Sequence, residues 1–239
     1  MYLLRITSLV FALGLLVSKL FAAPVMPVEE SWDDTDIRTY QVESFDKIYL
    51  EGAFKVILEQ GNHSGLRIKT DEDNFKYIDV QSDENSHSLK IVKKHFNFDE
   101  VKLYITFKDL EKLTMEGGIS LETKGYVDLK DFYLHVEGGA DIEMNMKVNN
   151  LRVIGEGGVK FEFDGVANEM DASISGAGYL DASDLKTNTC DFKIEGIGAG
   201  SVYVIKSLHA SINGVGKIRY KGDPQVSKKI DGIGIVSAD

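Results

Sequence analysis

A glycine pair or Gly-x-Gly step recurs seven times in this chain, at Gly117-Gly118, Gly138-Gly139, Gly157-Gly158, Gly176/Gly178, Gly196/Gly198, Gly214/Gly216 and Gly232/Gly234. Successive first glycines stand 21, 19, 19, 20, 18 and 18 residues apart. Recurrence at so even a spacing marks a stack of similar structural units. Before each step every second residue is apolar, as in Met170, Ala172, Ile174, in Cys190, Phe192, Ile194 and in Leu208, Ala210, Ile212. After it the alternation resumes, with Ile142, Met144, Met146, with Phe161, Phe163 and with Val202, Val204. A period of two means strands with one face buried and the other in water.

A unit of roughly twenty residues built only of strands and turns is too short for a propeller blade and too strand-rich for a helical repeat. It suits one coil of a β-solenoid, in which successive coils stack their strands in parallel about 4.8 Å apart. The glycines permit positive φ at the corner between two strands, and their missing side chain lets neighbouring coils approach. The expected fold is therefore all-β, a solenoid with coils of about 18–21 residues.

The regular array occupies residues 111–239, and residues 39–110 are less regular but strand-like. KIYLEGAFKVILEQG carries a glycine step at Gly52, followed by Phe54, Val56 and Leu58, and reads as an early coil. The stretch from Gly65 to Lys94 reads as three strands broken by turns at Asp71 to Asn74 and Ser82 to Ser88. Residues 1–23 have the marks of a cleavable signal peptide: Arg5, an apolar run from Leu9 to Val17, and Ala22-Ala23 for cleavage. Residues 24–38 are acidic, carry two of the three prolines and read as a linker. No integral membrane segment is expected once the signal is removed.

The segments FDKIYLEGAFKVILEQG and DEDNF, followed by the serial glycine steps that end in SINGVGKIRYKGDP and IDGIGIV, resemble the head GIN domain family of auto-transporter adhesins. The resemblance spans about residues 39–239, and Ile212 to Pro224 is its most specific part. It implies a right-handed parallel β-helix-like fold, export in Gram-negative bacteria and a non-enzymatic, adhesin-like role at the cell envelope. Three steps here read Glu-Gly-Gly, where members of that family more often show Ser-Gly-Ser-Gly.

The net charge of −11 excludes the basic footprint that a nucleic-acid binder needs, so no nucleic-acid partner is expected. A glycan or a surface protein is the kind of partner that fits, and no cofactor is implied. The single cysteine, Cys190, falls in phase with the apolar positions of its strand and reads as a buried structural thiol. Five histidines (His63, His87, His95, His135 and His209) show no metal-ligand spacing. Asp71, Asp73 and Asn74 resemble an EF-hand start but lack its glycine and closing glutamate.

Glu116, Glu137, Glu156 and Glu195 each stand directly before a glycine step, and Glu51 holds the same place near Gly52. In stacked coils they would form an outward acidic ladder, crowded at Glu116, Glu137 and Glu156. Like charges so close raise their pKa values or recruit a cation. The ladder is therefore the candidate ligand site, for a sugar or a weakly held Ca²⁺, against the simpler reading of a solvated edge that resists aggregation. Tyr133, Tyr179 and Tyr203 fall at outward phases and could stack on sugars. A carbohydrate-active enzyme is the alternative function, because paired carboxylates on a β-helix face can carry glycosidase or lyase chemistry.

Overall fold

A computed structural model describes residues 35–95 and 99–239. The described elements are β1 (Thr35–Tyr40), β2 (Lys47–Gln60), β3 (Gly65–Asp71), a 3-10 turn (Glu72–Tyr77), β4 (Ile78–Asp83), β5 (Ser88–Lys93), β6 (Lys102–Phe107), β7 (Lys112–Asp128), β8 (Asp131–Lys221) and β9 (Gln225–Ala238). The fold is all-β. The strands form one open mixed sheet along the path β1-β3-β6-β2-β7-β8-β9, with β5 on β2 and β4 on β5.

β8 runs for 91 residues; laid out straight at about 3.3 Å per residue it would reach roughly 300 Å. Instead its glycine steps lie one against the next. The place where a Cβ of Gly138 would stand is taken by the carbonyl of Gly117, and the same holds for Gly157 on Gly138, Gly176 on Gly157, Gly196 on Gly176 and Gly214 on Gly196. At the two ends of the column the pairing is parallel and in register, Gly52 opposite Gly117 and Gly214 opposite Gly232. The first of these pairs β2 in parallel with β7 through its own glycine step. β7 and β8 keep one register from Lys112/Tyr133 to Glu122/Glu143, then shift once at a bulge before Tyr126.

The N-terminal region departs from this regularity because it mixes the parallel pairs β2–β5 and β2–β6 with antiparallel ones: β1 with β3, β3 with β6, and β4 with β5. The three strands expected between Gly65 and Lys94 are β3, β4 and β5, and the turn expected at Asp71 to Asn74 is the start of the 3-10 turn. The segment read as a linker needs one correction. β1 begins at Thr35, inside residues 24–38, and pairs along its whole length with β3. Its acidic surroundings hid it, because Asp36 and Arg38 are exposed and Ile37 is 57% exposed. What holds β1 is the partner strand, helped by an ion pair between Arg38 and Glu72, and not an apolar face of its own. The signal peptide read at residues 1–23 lies outside the described residues.

The shared interior is built from the alternating positions. Leu50, Met115, Val136, Ile174, Ile194 and Ile212 occupy equivalent places two residues before the corner glycine, and all are buried. The corners fill their inner space in two ways. At the Gly-Gly steps the residue after the pair turns inward, and Ile119 and Val159 are buried there. At the Gly-x-Gly steps a Cβ on Gly178, Gly198 or Gly216 would meet the Cγ2 of Ile174, Ile194 or Ile212. An isoleucine before the corner thus takes the space that a side chain after it would need. Cys190 is buried, as its phase predicts. Among the described residues no helix is long and apolar enough to cross a membrane.

Candidate functional site

One strand face precedes the corner glycines and carries three outward columns. Register places Glu51 opposite Glu116 and Glu116 opposite Glu137, so the acidic ladder exists at its first levels. Glu156 adjoins Glu137, since both approach the same imidazole. Glu195 stands apart from them. Ser175, before Gly176, occupies the level between the corners of Gly157 and Gly196, which separates Glu195 from Glu156 by about 10 Å of stack. The predicted four-residue site is therefore a cluster of three and one outlier.

The column two residues earlier supplies what the ladder needs. Tyr49 donates its hydroxyl to Glu51 Oε2 at 3.2 Å. Burial raises the Tyr49 pKa, and hydrogen bonding to Glu116 and Glu51 raises it further. Lys193 Nζ lies 2.5 Å from Glu195 Oε1. Between these levels stands His135, whose Nε2 lies 3.4 Å from Glu137 Oε1 and 3.5 Å from Glu156 Oε1. The crowded charges are thus met by a phenol, an imidazole and an ammonium from one neighbouring column. The sequence offers a cue to these partners. It is the offset of two between His135 and Glu137, and again between Lys193 and Glu195, which in a strand puts both side chains on one face.

His135, Glu137 and Glu156 form the one group of three potential metal donors among the described residues, with their ligand atoms within 4.8 Å of one another. The imidazole is the most enclosed member, with 21% of its side chain exposed against 50% and 53% for the two carboxylates. Its Nε2 is buried and makes no hydrogen bond, since neither carboxylate contact has hydrogen-bond geometry. The spacing search missed this group because one ligand pair is two residues apart on a strand and the third comes from the next level.

The outermost column on the same face runs from Lys112 to Tyr133 and Arg152. The Lys112 Nζ lies 5.4 Å and the Arg152 Cζ 5.8 Å from the Tyr133 ring centroid, within cation–π range. Tyr133 is therefore sandwiched and not a free stacking platform. Tyr179 donates to Asp181 at 3.3 Å, and Lys186 lies over Tyr203 at 5.7 Å. The three tyrosines do not share a surface column. Beside this face lies an open groove of about 710 Å³ whose walls include Arg152, Asp171, Asp191 and His209. None of the four ladder glutamates lines it.

Comparison with known proteins gives a consistent picture. The family model described as "Putative auto-transporter adhesin, head GIN domain" matches residues 44–224. A search of curated proteins found no match. The chain is similar to the crystal structure of a "putative adhesin" from Bacteroides fragilis, with a TM-score of 0.75 and 23% identity over 86% of this chain and 97% of that one. It is similar also to a "putative lipid binding protein" from Parabacteroides distasonis, with a TM-score of 0.69 and 21% identity over 86% and 96% of the two chains. A "putative adhesin" from the same organism gives a TM-score of 0.66 at 21% identity, again over 86% of this chain and 97% of that one. At these identities the likeness is one of fold.

Proposed function

Since the chain belongs to the head GIN domain family, we propose that it is an exported, non-enzymatic cell-envelope protein that binds a glycan or a surface protein in the manner of an adhesin. In this reading residues 1–23 direct export, and residues 39–239 form one right-handed β-solenoid domain that acts as a rigid display surface. The observation that carries the reading is the in-register face of β2, β7 and β8, which holds Glu51, Glu116 and Glu137 in a fixed column. A repeated row of polar groups at about 4.8 Å intervals suits an extended partner better than a small molecule, which a concave pocket would enclose.

The enzymatic alternative requires a substrate to be gripped around its paired carboxylates. Glu137 and Glu156 are half-exposed on the strand face, and the open groove of about 710 Å³ is lined by other residues. This favours contact over catalysis. The test is a glycan array and a binding screen against envelope proteins, run with the protein and with a variant carrying glutamine at Glu116, Glu137, Glu156 and Glu195. Binding that falls at least tenfold in the variant supports the reading. Unchanged binding would remove the ladder from it, and turnover of an acidic polysaccharide, abolished by Glu137→Gln, would replace it with the enzymatic one.

A further inference from the structure

We infer that His135, Glu137 and Glu156 form a site for a divalent transition-metal ion of the Zn²⁺ kind. The donor set is one imidazole and two carboxylates, which suits zinc. Calcium takes six to eight oxygen ligands, and no such number converges here. The distances fit as well. Ligands about 2.0–2.1 Å from a tetrahedral zinc stand about 3.4 Å from one another. Two edges of the triangle already have that length, 3.4 Å from Nε2 to Glu137 and 3.5 Å to Glu156. The third edge lies within 4.8 Å, and half-exposed glutamates on a strand face can close it by rotamer adjustment alone.

A second observation points the same way. Nε2 of His135 is buried and makes no hydrogen bond, which is uncommon for a buried polar atom. A neutral imidazole presenting its lone pair to two carboxylate oxygens is repulsive, so this position calls for a cation between the three donors. Either a proton on Nε2 or a metal ion supplies it. The metal uses the lone pair and one oxygen of each carboxylate, which is the arrangement in the structure, whereas the proton leaves a donor without hydrogen-bond geometry to either oxygen. Two protein levels contribute, His135 and Glu137 from one and Glu156 from the next. A bound ion would clamp successive levels of the stack together. Its fourth position faces solvent, where a water or an oxygen of a partner completes the shell.

The experiment is isothermal titration of the metal-stripped protein with ZnCl₂ and, separately, CaCl₂, repeated on His135→Gln and Glu156→Gln. The expected result is one saturable Zn²⁺ site, weakened at least tenfold in each variant, with no calcium uptake of comparable affinity. Saturating Zn²⁺ should raise Tm by roughly 5–10 °C in the unmodified protein and leave Tm of His135→Gln unchanged. Circular dichroism of the metal-free variants checks that they fold. Absence of saturable uptake, or uptake as tight in both variants as in the unmodified protein, overturns the assignment. Because the readout is metal uptake and not partner binding, its failure leaves the adhesin-like reading standing.

Discussion

A Cβ built on Gly138 would land on the carbonyl oxygen of Gly117, the glycine at the same corner one level earlier. The φ of Gly138 is +118°, so this position excludes a side chain both by its backbone and by its neighbour. The same contact recurs from Gly117 on Gly52 to Gly232 on Gly214. The corner column therefore leaves no room for a side chain at the spacing of the parallel ladder, and the acidic ladder shares its register.

A second corner obeys the same rule. A Cβ on Gly165 would strike the carbonyl of Met146, at φ +118°. Gly165→Ala should destabilise the protein by about 2–4 kcal/mol through backbone strain and displacement of that carbonyl. Urea denaturation monitored by circular dichroism measures this, and a midpoint equal to that of the parent would show that the second corner tolerates a side chain.

Cys190 gives a pH signature. Burial raises its thiol pKa above the ordinary 9.0, and the nearby Asp191 and Asp171 charges add to the rise. The folded state thus keeps the thiol neutral after the unfolded chain has begun to ionise. Stability from this group is intact below about pH 9 and is lost as pH rises beyond it, by about 1.4 kcal/mol per pH unit. Unfolding free energies between pH 8 and 11 should fall less steeply for Cys190→Ala than for the parent. In the native protein at pH 8 the thiol should resist alkylation by iodoacetamide; rapid labelling would contradict its burial.

Phe192 is fully buried within the stack. Phe192→Ala should cost about 3–5 kcal/mol, combining lost transfer energy and a cavity. Tyr203→Phe on the outward face should stay within about 0.5 kcal/mol. A comparable loss at both positions would mean that the inward and outward phases are not distinct.

Tyr49, partly buried beside the ladder, should matter to it. Its hydroxyl serves Glu51 directly and Glu116 beside it. Removing it in Tyr49→Phe takes away the single O–H beside these two carboxylates and should cost about 1 kcal/mol near neutral pH. Urea denaturation beside the parent measures the loss, and an unchanged midpoint would contradict it.

The sequence made the repeating corners legible because glycine has no substitute at positive φ against a carbonyl, so Gly117, Gly138 and Gly157 could not drift. It made the inward residues legible because a strand buries every second side chain. The ladder followed from its constant place before each corner. What it hid depended on partners from other levels. β1 shows no apolar face of its own because β3 supplies its hydrogen bonds. His135 looked solitary because one of its two carboxylate neighbours, Glu156, lies in the next level and far along the chain. Gly155, two residues before a corner where other levels carry Leu50 or Ile174, makes sense only beside Phe161, whose ring would meet a Cβ there at 2.7 Å.

The most direct test compares Gly138→Ala with Gly139→Ala by equilibrium denaturation. The two residues are adjacent in sequence and differ in two respects: Gly138 has φ +118° and its Cβ would meet the Gly117 carbonyl, whereas Gly139 has no positive φ and its Cβ would meet nothing within 4 Å. Stacked corners predict a loss of about 2–4 kcal/mol for the first and a change within about 0.5 kcal/mol for the second. Equal effects at the two positions would contradict the stack of corners, and with it the ladder.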